Sequence, residues 1–252
     1  MTLTTNGTIA GTPTLAGTYS PTITVTDSAQ ATATITPTMI IGGGTTDTTV
    51  AQVAAGGRHT CAVTAAGGVK CWGHNLSGSL GDGTTTDRLT PVQVVGLVGG
   101  VTSISAGMFH TCAVTAHGAV MCWGYNDSGR LGDGTTTDRS TPVQVVGLVG
   151  GVTSISAGQF HTCAVTAAGA VQCWGANSRG ELGDGTTTDR LTPVQVVGLD
   201  GGVTSISAGA HHTCAVTAAG AVQCWGANSW GRLGDGTTTN RSTPVQVVGL
   251  GG

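Results

Sequence analysis

Few side chains in this 252-residue sequence carry charge: Asp, Glu, Lys and Arg supply 8% of it, where an ordinary globular domain has about a quarter. Nine Lys and Arg residues in a chain of net charge −3 leave no basic footprint for a nucleic-acid backbone. No apolar run is long enough to span a bilayer. No secretory leader follows Met1, which runs straight into Thr2-Leu3-Thr4-Thr5, so the sequence reads as a mature or cut form. Nucleophile, base and orienting residue do not occur together. Serines and threonines are abundant but recur periodically, whereas a catalytic site breaks the symmetry of its scaffold. An enzyme is not expected, nor a cofactor. Hydrophobic residues make up 39% of the chain and supply a core; threonine, glycine, asparagine and glutamine carry the solubility.

What the sequence does have is repetition. The stretch His59-Thr60-Cys61-Ala62-Val63-Thr64-Ala65-Ala66-Gly67-Gly68-Val69-Lys70-Cys71-Trp72-Gly73 returns at His110 to Gly124, His161 to Gly175 and His212 to Gly226. Cys61, Cys112, Cys163 and Cys214 follow one another at steps of 51 residues. A fixed period of this length marks a propeller, solenoid or array. Within a repeat, Cys61, Val63, Val69 and Cys71 alternate with Ala62, Thr64, Lys70 and Trp72, the period of a strand. Ala65-Ala66-Gly67 fits a three-residue hairpin loop with its glycine left-handed. Centring the hairpin on Ala66 pairs Val63 with Val69 and Cys61 with Cys71. Val101 to Ala106 and Val92 to Val95 read as two more strands, and four short strands per repeat describe a propeller blade.

Ser-Ile-Ser-Ala-Gly-x-x-His-Thr-Cys-Ala-Val-Thr, followed by Gly-x-Val-x-Cys-Trp-Gly-x-Asn-x-x-Gly-x-Leu-Gly-Asp-Gly, resembles the regulator of chromosome condensation repeat. The resemblance covers Val50 to the C-terminus in four copies and implies an all-β fold of propeller blades, usually seven to a ring. The paired cysteines depart from the eukaryotic members and resemble secreted bacterial ones. Residues 50–252 thus form a four-repeat array, with units at about 50–100, 101–151, 152–202 and 203–252. Ahead of it, residues 1–38 resemble the C-terminal half of a bacterial immunoglobulin-like surface domain. Two strands there, Thr18 to Thr26 and Gln30 to Thr36, flank Asp27-Ser28. Residues 39–49, rich in glycine and threonine, read as a linker.

The eight cysteines make one opposed pair per repeat: Cys61 with Cys71, Cys112 with Cys122, Cys163 with Cys173 and Cys214 with Cys224. Opposed residues at a non-hydrogen-bonded position come close enough for a disulfide. With surface-domain features in the same chain, the pairs point to an oxidising, extracellular compartment. A zinc site is the rival reading, but it wants closely spaced thiolates converging on one metal; free buried thiols are the other. The repeated histidines His59, His110, His161 and His212 occupy equivalent positions of a ring and are expected to hydrogen-bond loop backbone rather than converge on a metal. Trp72, Trp123, Trp174 and Trp225 read as packing between blades. The resemblance brings to mind plant photoreceptors with tryptophan clusters, but Trp230 is the one extra tryptophan here. Asp82-Gly83-Thr84-Thr85-Thr86-Asp87-Arg88 has some features of a calcium loop without its acid spacing or terminal glutamate. A turn in which Asp82 caps backbone amides fits better. Asn6, Asn75, Asn126 and Asn240 head Asn-x-Ser/Thr sequons.

The copies differ mainly in two loops. Before His-Thr they carry Gly57-Arg58, Met108-Phe109, Gln159-Phe160 and Ala210-His211. After Trp-Gly, Tyr125, Arg179 and Trp230 are set against smaller residues elsewhere, and Ser79, Arg130, Glu181 and Arg232 differ too. Exposed aromatic and arginine residues on otherwise uniform loops suit protein binding, so Arg58, Phe109, Tyr125, Phe160, Arg179 and Trp230 are the candidate binding residues. Drift at solvated positions explains the same variation. The sequence therefore predicts a secreted or surface-displayed bacterial propeller that binds protein, including copies of itself, in an oligomer or fibre. A guanine-nucleotide exchange factor, a structural spacer and a fragment of a larger adhesin are the alternatives. Four blades are expected to form an arc whose ends are open strand edges.

Overall fold

A computed structural model describes Thr49–Gly251 in full and, before that, the backbone of six short strands. The chain divides into two units, Met1–Thr48 and Thr49–Gly252. In the first, β1 (Thr2–Leu3) pairs with β2 (Ile9–Ala10), β3 (Gly17–Tyr19) with β6 (Met39–Ile41), and β4 (Ile23–Thr26) with β5 (Thr32–Ile35). The expected strand Thr18 to Thr26 holds two strands with different partners, β3 and β4, while Asp27-Ser28 lies outside the described residues. Met39–Ile41, assigned to the linker on composition, is a strand. Residues 42–48 of that linker, and the turns between the strands, lie outside the described residues.

The second unit is four antiparallel sheets of four strands. The first holds β7 (Val50–Ala55), β8 (His59–Thr64), β9 (Val69–Gly73) and β10 (Arg88–Gln93). The second holds β11 (Val101–Ala106), β12 (His110–Thr115), β13 (Val120–Gly124) and β14 (Arg139–Gln144). The third runs from β15 (Val152–Ala157) through β16 (His161–Thr166) and β17 (Val171–Gly175) to β18 (Arg190–Gln195). The fourth runs from β19 (Val203–Ala208) through β20 (His212–Thr217) and β21 (Val222–Gly226) to β22 (Arg241–Gln246). Each sheet is one propeller blade. The first strands β7, β11, β15 and β19 lie side by side along the inner rim.

The hairpin has the expected register. Cys61 faces Cys71 and Val63 faces Val69, while Gly67 takes φ 78° and Thr64 N–H donates to Gly68 O at 2.8 Å. Hydrogen-bonded pairs alternate with unbonded ones, so Thr64–Gly68 being bonded leaves Cys61–Cys71 in the close, unbonded class. All four pairs are disulfides, with Cα atoms 4.1 Å apart. The outermost strand differs from its expected span of Val92 to Val95. It begins at Arg88, and its register shifts between Arg88 and Val92, where Pro91 has no N–H for the ladder. It ends at Gln93 because Val95 N–H turns away to Gly81 O, 2.9 Å off.

The hydrophobic cores lie between blades, not within them. Cys61, Val63, Val69, Cys71, Leu80 and Leu97 of the first blade pack with Ala113 and Trp123 of the second. The second and third blades do the same with Trp174, and the third and fourth with Trp225. Each junction is pinned by a short relay of hydrogen bonds. Thr111 Oγ1 donates to Ser79 O at 3.0 Å, and Trp123 Nε1–H donates to the same carbonyl at 2.9 Å. Because the Thr111 proton is spent there, His59 must donate from Nε2 to Thr111 Oγ1, 2.7 Å away. His110 with Thr162 and His161 with Thr213 repeat the contact. The histidines thus bond a threonine of the next blade, not loop backbone as expected. A loop carbonyl is indeed used, but threonine and tryptophan reach it. Burial lowers His59 to about 4, with His74 adding to it, and lowers His161 to about 3. The rings are neutral and need only one donor.

A second correction concerns the ends. Each sheet runs from inner rim to outer strand, so the array ends in two blade faces rather than two strand edges.

Candidate protein-binding strip

The Trp-Gly-x-Asn segment opens a long loop that must be held before it can present anything. Its centre is a buried asparagine. Asn126 Nδ2 donates to Asp133 Oδ1, Thr135 O and Thr137 O at 3.2, 3.0 and 3.0 Å, and its Oδ1 accepts from Leu131 N–H at 3.0 Å. Asn75, Asn177 and Asn228 hold equivalent places. Asp82 caps the turn as expected, accepting from Thr84 N at 3.0 Å and from Arg88 at 2.8 Å. Burial would raise this carboxyl, but the bonds from Thr84 and Arg88 outweigh it and hold it low. Those oxygens are occupied by the protein, so the turn reading accounts for this loop. Among the described residues no group of acids, histidines or cysteines is placed to hold a metal ion.

With the loop fixed, its variable positions line up with those before His-Thr. Tyr125 N–H donates to Phe109 O at 3.0 Å, which ties the two loops at one end of the blade. The side chains then form a strip that crosses three junctions. The Arg58 guanidinium lies 5.2 Å from the Phe109 ring, which meets Tyr125 edge-on at 6.1 Å. Arg130 sits between Tyr125 and Phe160, 4.7 and 5.2 Å from their rings. Phe160 stacks on His211 at 5.3 Å. Beyond it, His211 Nδ1 lies 3.6 Å from Glu181 Oε1. Burial raises Glu181, while burial together with Arg179 lowers His211. Both shifts run against an ion pair.

Arg130 is the keystone. It is fully buried, pairs with Asp127 and donates to Gln159 O at 2.9 Å. Burial lowers it, opposed by Asp127. Its carbonyl, meanwhile, takes the Trp174 and Thr162 bonds of the junction. The bonds that recur at every junction use only the backbone of this position, and its side chain differs between copies: Ser79, Arg130, Glu181 and Arg232.

Of the sequence candidates, Arg58, Phe109, Tyr125 and Phe160 come together directly. Arg179 is exposed beside the strip, and its N–H donates to Glu181 at 2.7 Å. Trp230 stands apart in the fourth blade, 86% exposed, with Arg232 4.9 Å from its ring. Sequence reasoning noted Arg130, Glu181 and His211 as variable but left them off the candidate set. The available signal was that position 130 alternates between small and charged residues next to positions alternating between small and aromatic ones. Beside the strip, the inner rim forms a shallow mouth of small residues, Ala55-Gly56-Gly57 and their equivalents. The inner strands approach so closely that a Cβ on Gly107 would lie 2.4 Å from Gly158 O.

The RCC1-like domain family model matches residues 11–252. Among curated proteins the chain is similar to the ultraviolet-B receptor UVR8 of Arabidopsis thaliana. The identity is 39% over 204 residues, covering 79% of this chain and 46% of that one. It is also 38% identical over 208 residues to the human E3 ubiquitin-protein ligase HERC2, covering 81% of this chain and 4% of that one. Among solved structures, human WBSCR16 matches with a TM-score of 0.72 at 26% identity, over 84% of this chain and 55% of that chain. Yeast RCC1 (Prp20), in complex with Kap60, matches with a TM-score of 0.71 at 21% identity, over 84% and 52%; that likeness is one of fold. The chain therefore spans about half the length of UVR8 and of these structures, and far less of HERC2. With four blades, their repeated junctions and a family match across the whole array, the chain belongs to the RCC1-like domain family.

Proposed function

We propose that this chain is a non-catalytic, protein-binding propeller module, secreted by or displayed on a bacterial cell, which binds other proteins and its own copies. One observation supports the binding reading: several residues that differ between otherwise uniform repeats, Arg58, Phe109, Tyr125, Arg130, Phe160 and His211, follow one another in a single strip. Blade stacking sets these positions side by side, and the residues that occupy them, Arg58, Phe109, Tyr125, Arg130 and Phe160, touch in succession across blades. Aromatic and arginine side chains held in place by their neighbours are what binding surfaces use as anchors. The four disulfides support an oxidising compartment. The immunoglobulin-like resemblance of residues 1–38 supports a surface location. The exchange-factor alternative draws on the fold likeness to yeast RCC1, and fold alone does not fix function.

The test is capture of partners from culture medium and cell-wall extract by the immobilised oxidised chain. Trp230→Ala and Tyr125→Ala are expected to weaken capture roughly 30-fold each, the effect of a 2 kcal/mol anchor. Trp230→Ala should leave thermal unfolding unchanged, because that side chain is already exposed. Unaltered capture by Tyr125→Ala overturns the strip as the binding site, and unaltered capture by Trp230→Ala removes that residue from it. Nucleotide release stimulated from a small GTP-binding protein, with no capture, favours the exchange-factor reading instead.

A further inference from the structure

Position 130 and its equivalent one repeat later build similar corners of the strip with opposite charge. Arg130 is a fixed cation, held by Asp127 and the Gln159 carbonyl beside the Tyr125 and Phe160 rings. One repeat on, Glu181 and His211 take the places of Arg130 and Phe160, and both can titrate. Glu181 is 2% exposed. Its Oε2 accepts from Arg179 N–H at 2.7 Å, while Oε1 lies 3.6 Å from His211 Nδ1, too far for a hydrogen bond. The half-buried imidazole stacks instead on Phe160, with centroids 5.3 Å apart and planes inclined by 23°. It stands in contact with a strip anchor and just out of reach of a buried carboxylate.

The charged neighbours come from three blades. Burial lowers His211 from 6.5, and Arg179 of the third blade with Arg232 and His212 of the fourth adds to it. Burial raises Glu181 from 4.5; the N–H groups of Arg179 and Glu181 and the Arg179 charge oppose it, and Asp189 adds to it. Arg130 of the second blade lies 5.2 Å from the Phe160 ring. The two groups are thus pushed toward one another on the pH scale, His211 downward and Glu181 upward. From this arrangement we infer that His211 and Glu181 form an acid-responsive latch on the strip, in which one added proton bridges Nδ1 and Oε1 and draws the imidazole off Phe160. Whichever atom keeps it, the proton makes a donor of one group and an acceptor of the other. Closing the gap to a hydrogen bond takes a shift of about 0.5–1 Å. The inference rests on the strip being the binding surface, and it makes Phe160 a looser anchor in acid.

The experiment is an NMR titration of the full oxidised chain from about pH 8 to about pH 4.5, with His211→Gln assigning the ring signals. His211 should titrate below pH 6.5, and the nuclear Overhauser contact between its ring protons and those of Phe160 should fade with the same midpoint. In Glu181→Gln, which keeps the shape of the side chain, the His211 midpoint should fall further and the contact to Phe160 should persist. Capture from culture medium should weaken roughly three- to tenfold over that range in wild type, the worth of one aromatic stack, and less in Glu181→Gln. A ring contact that survives the His211 titration in wild type overturns the latch, as does an unchanged midpoint in Glu181→Gln. Capture with the same pH dependence in both proteins overturns its control of binding. Capture absent at every pH counts against the proposed function instead, while the ring contact still decides the latch.

Discussion

Replacing Asn126 by alanine removes the hub of the loop that carries Tyr125 and Arg130. The buried amide makes five hydrogen bonds. Leu131 N–H loses its acceptor, and the carbonyls of Thr135 and Thr137 lose a donor. An orphaned buried donor costs about 1–3 kcal/mol, and each carbonyl, with two lone pairs, costs somewhat less. The sum is roughly 3–5 kcal/mol before any water enters. At about 2–4 °C per kcal/mol for a unit of this size, the thermal midpoint should fall by roughly 10 °C. The fourth blade supplies a control. There Asn240 replaces the aspartate found at Asp138, and its Oδ1 accepts from Asn228 N–H at 2.8 Å, as Asp138 does from Asn126 N–H at 2.8 Å. Asp138→Asn should therefore stay within about 0.5 kcal/mol of wild type. Thermal and denaturant unfolding under oxidising conditions read both. An Asn126→Ala variant within about 1 kcal/mol of wild type refutes the hub, and so does Asp138→Asn matching its loss.

Non-reducing peptide mapping should find the four within-repeat disulfides and no link between repeats; Cys112→Ala with Cys122→Ala should cost about 2–3 kcal/mol. His59 and His161 titrate in the folded chain at about 4 and about 3, below the unfolded value of 6.5. The unfolded state thus binds more protons in between, so stability should be full above pH 6.5 and fall as pH drops toward 3; a flat profile across that window removes the buried neutral histidines. Asn75 and Asn126 head sequons but are fully buried, whereas Asn240 is exposed. Expression in a glycosylating host, followed by mass mapping, should therefore show folded protein bare at Asn75 and Asn126, and a glycan on either contradicts the loop.

Local chemistry was legible in the sequence where it closes within one repeat. Alternation and a glycine at the αL position set the hairpin, and the hairpin register set the disulfides. Asp82 followed by glycine and threonine announced a capped turn. What the sequence hid was chemistry between repeats. No pattern within 51 residues shows that His59 donates to Thr111, because the partner belongs to the next copy. The same blindness turned the ends into strand edges. Sequence shows four strands in order along a repeat, but not that the fourth is outermost while the apolar face looks across to a neighbour.

That division also explains why the strip can exist. Positions that serve a junction through side chains, such as His110, Thr111 and Trp123, are the same in every copy because both partners recur. Position 130 serves its junction through a carbonyl that any residue supplies. Phe109 and Tyr125 likewise tie their loops through backbone groups. Their side chains vary between copies, and those of Phe109 and Tyr125 stand half-buried on a rigid scaffold with Arg130 buried beside Tyr125. Side chains can therefore change there while the recurring threonine, histidine and tryptophan bonds of the junction stay in place, which a site built from the repeated histidines or tryptophans could not allow. The physical opportunity for recognition lies where the repeat needs only a backbone, and that is where the aromatic and arginine side chains stand.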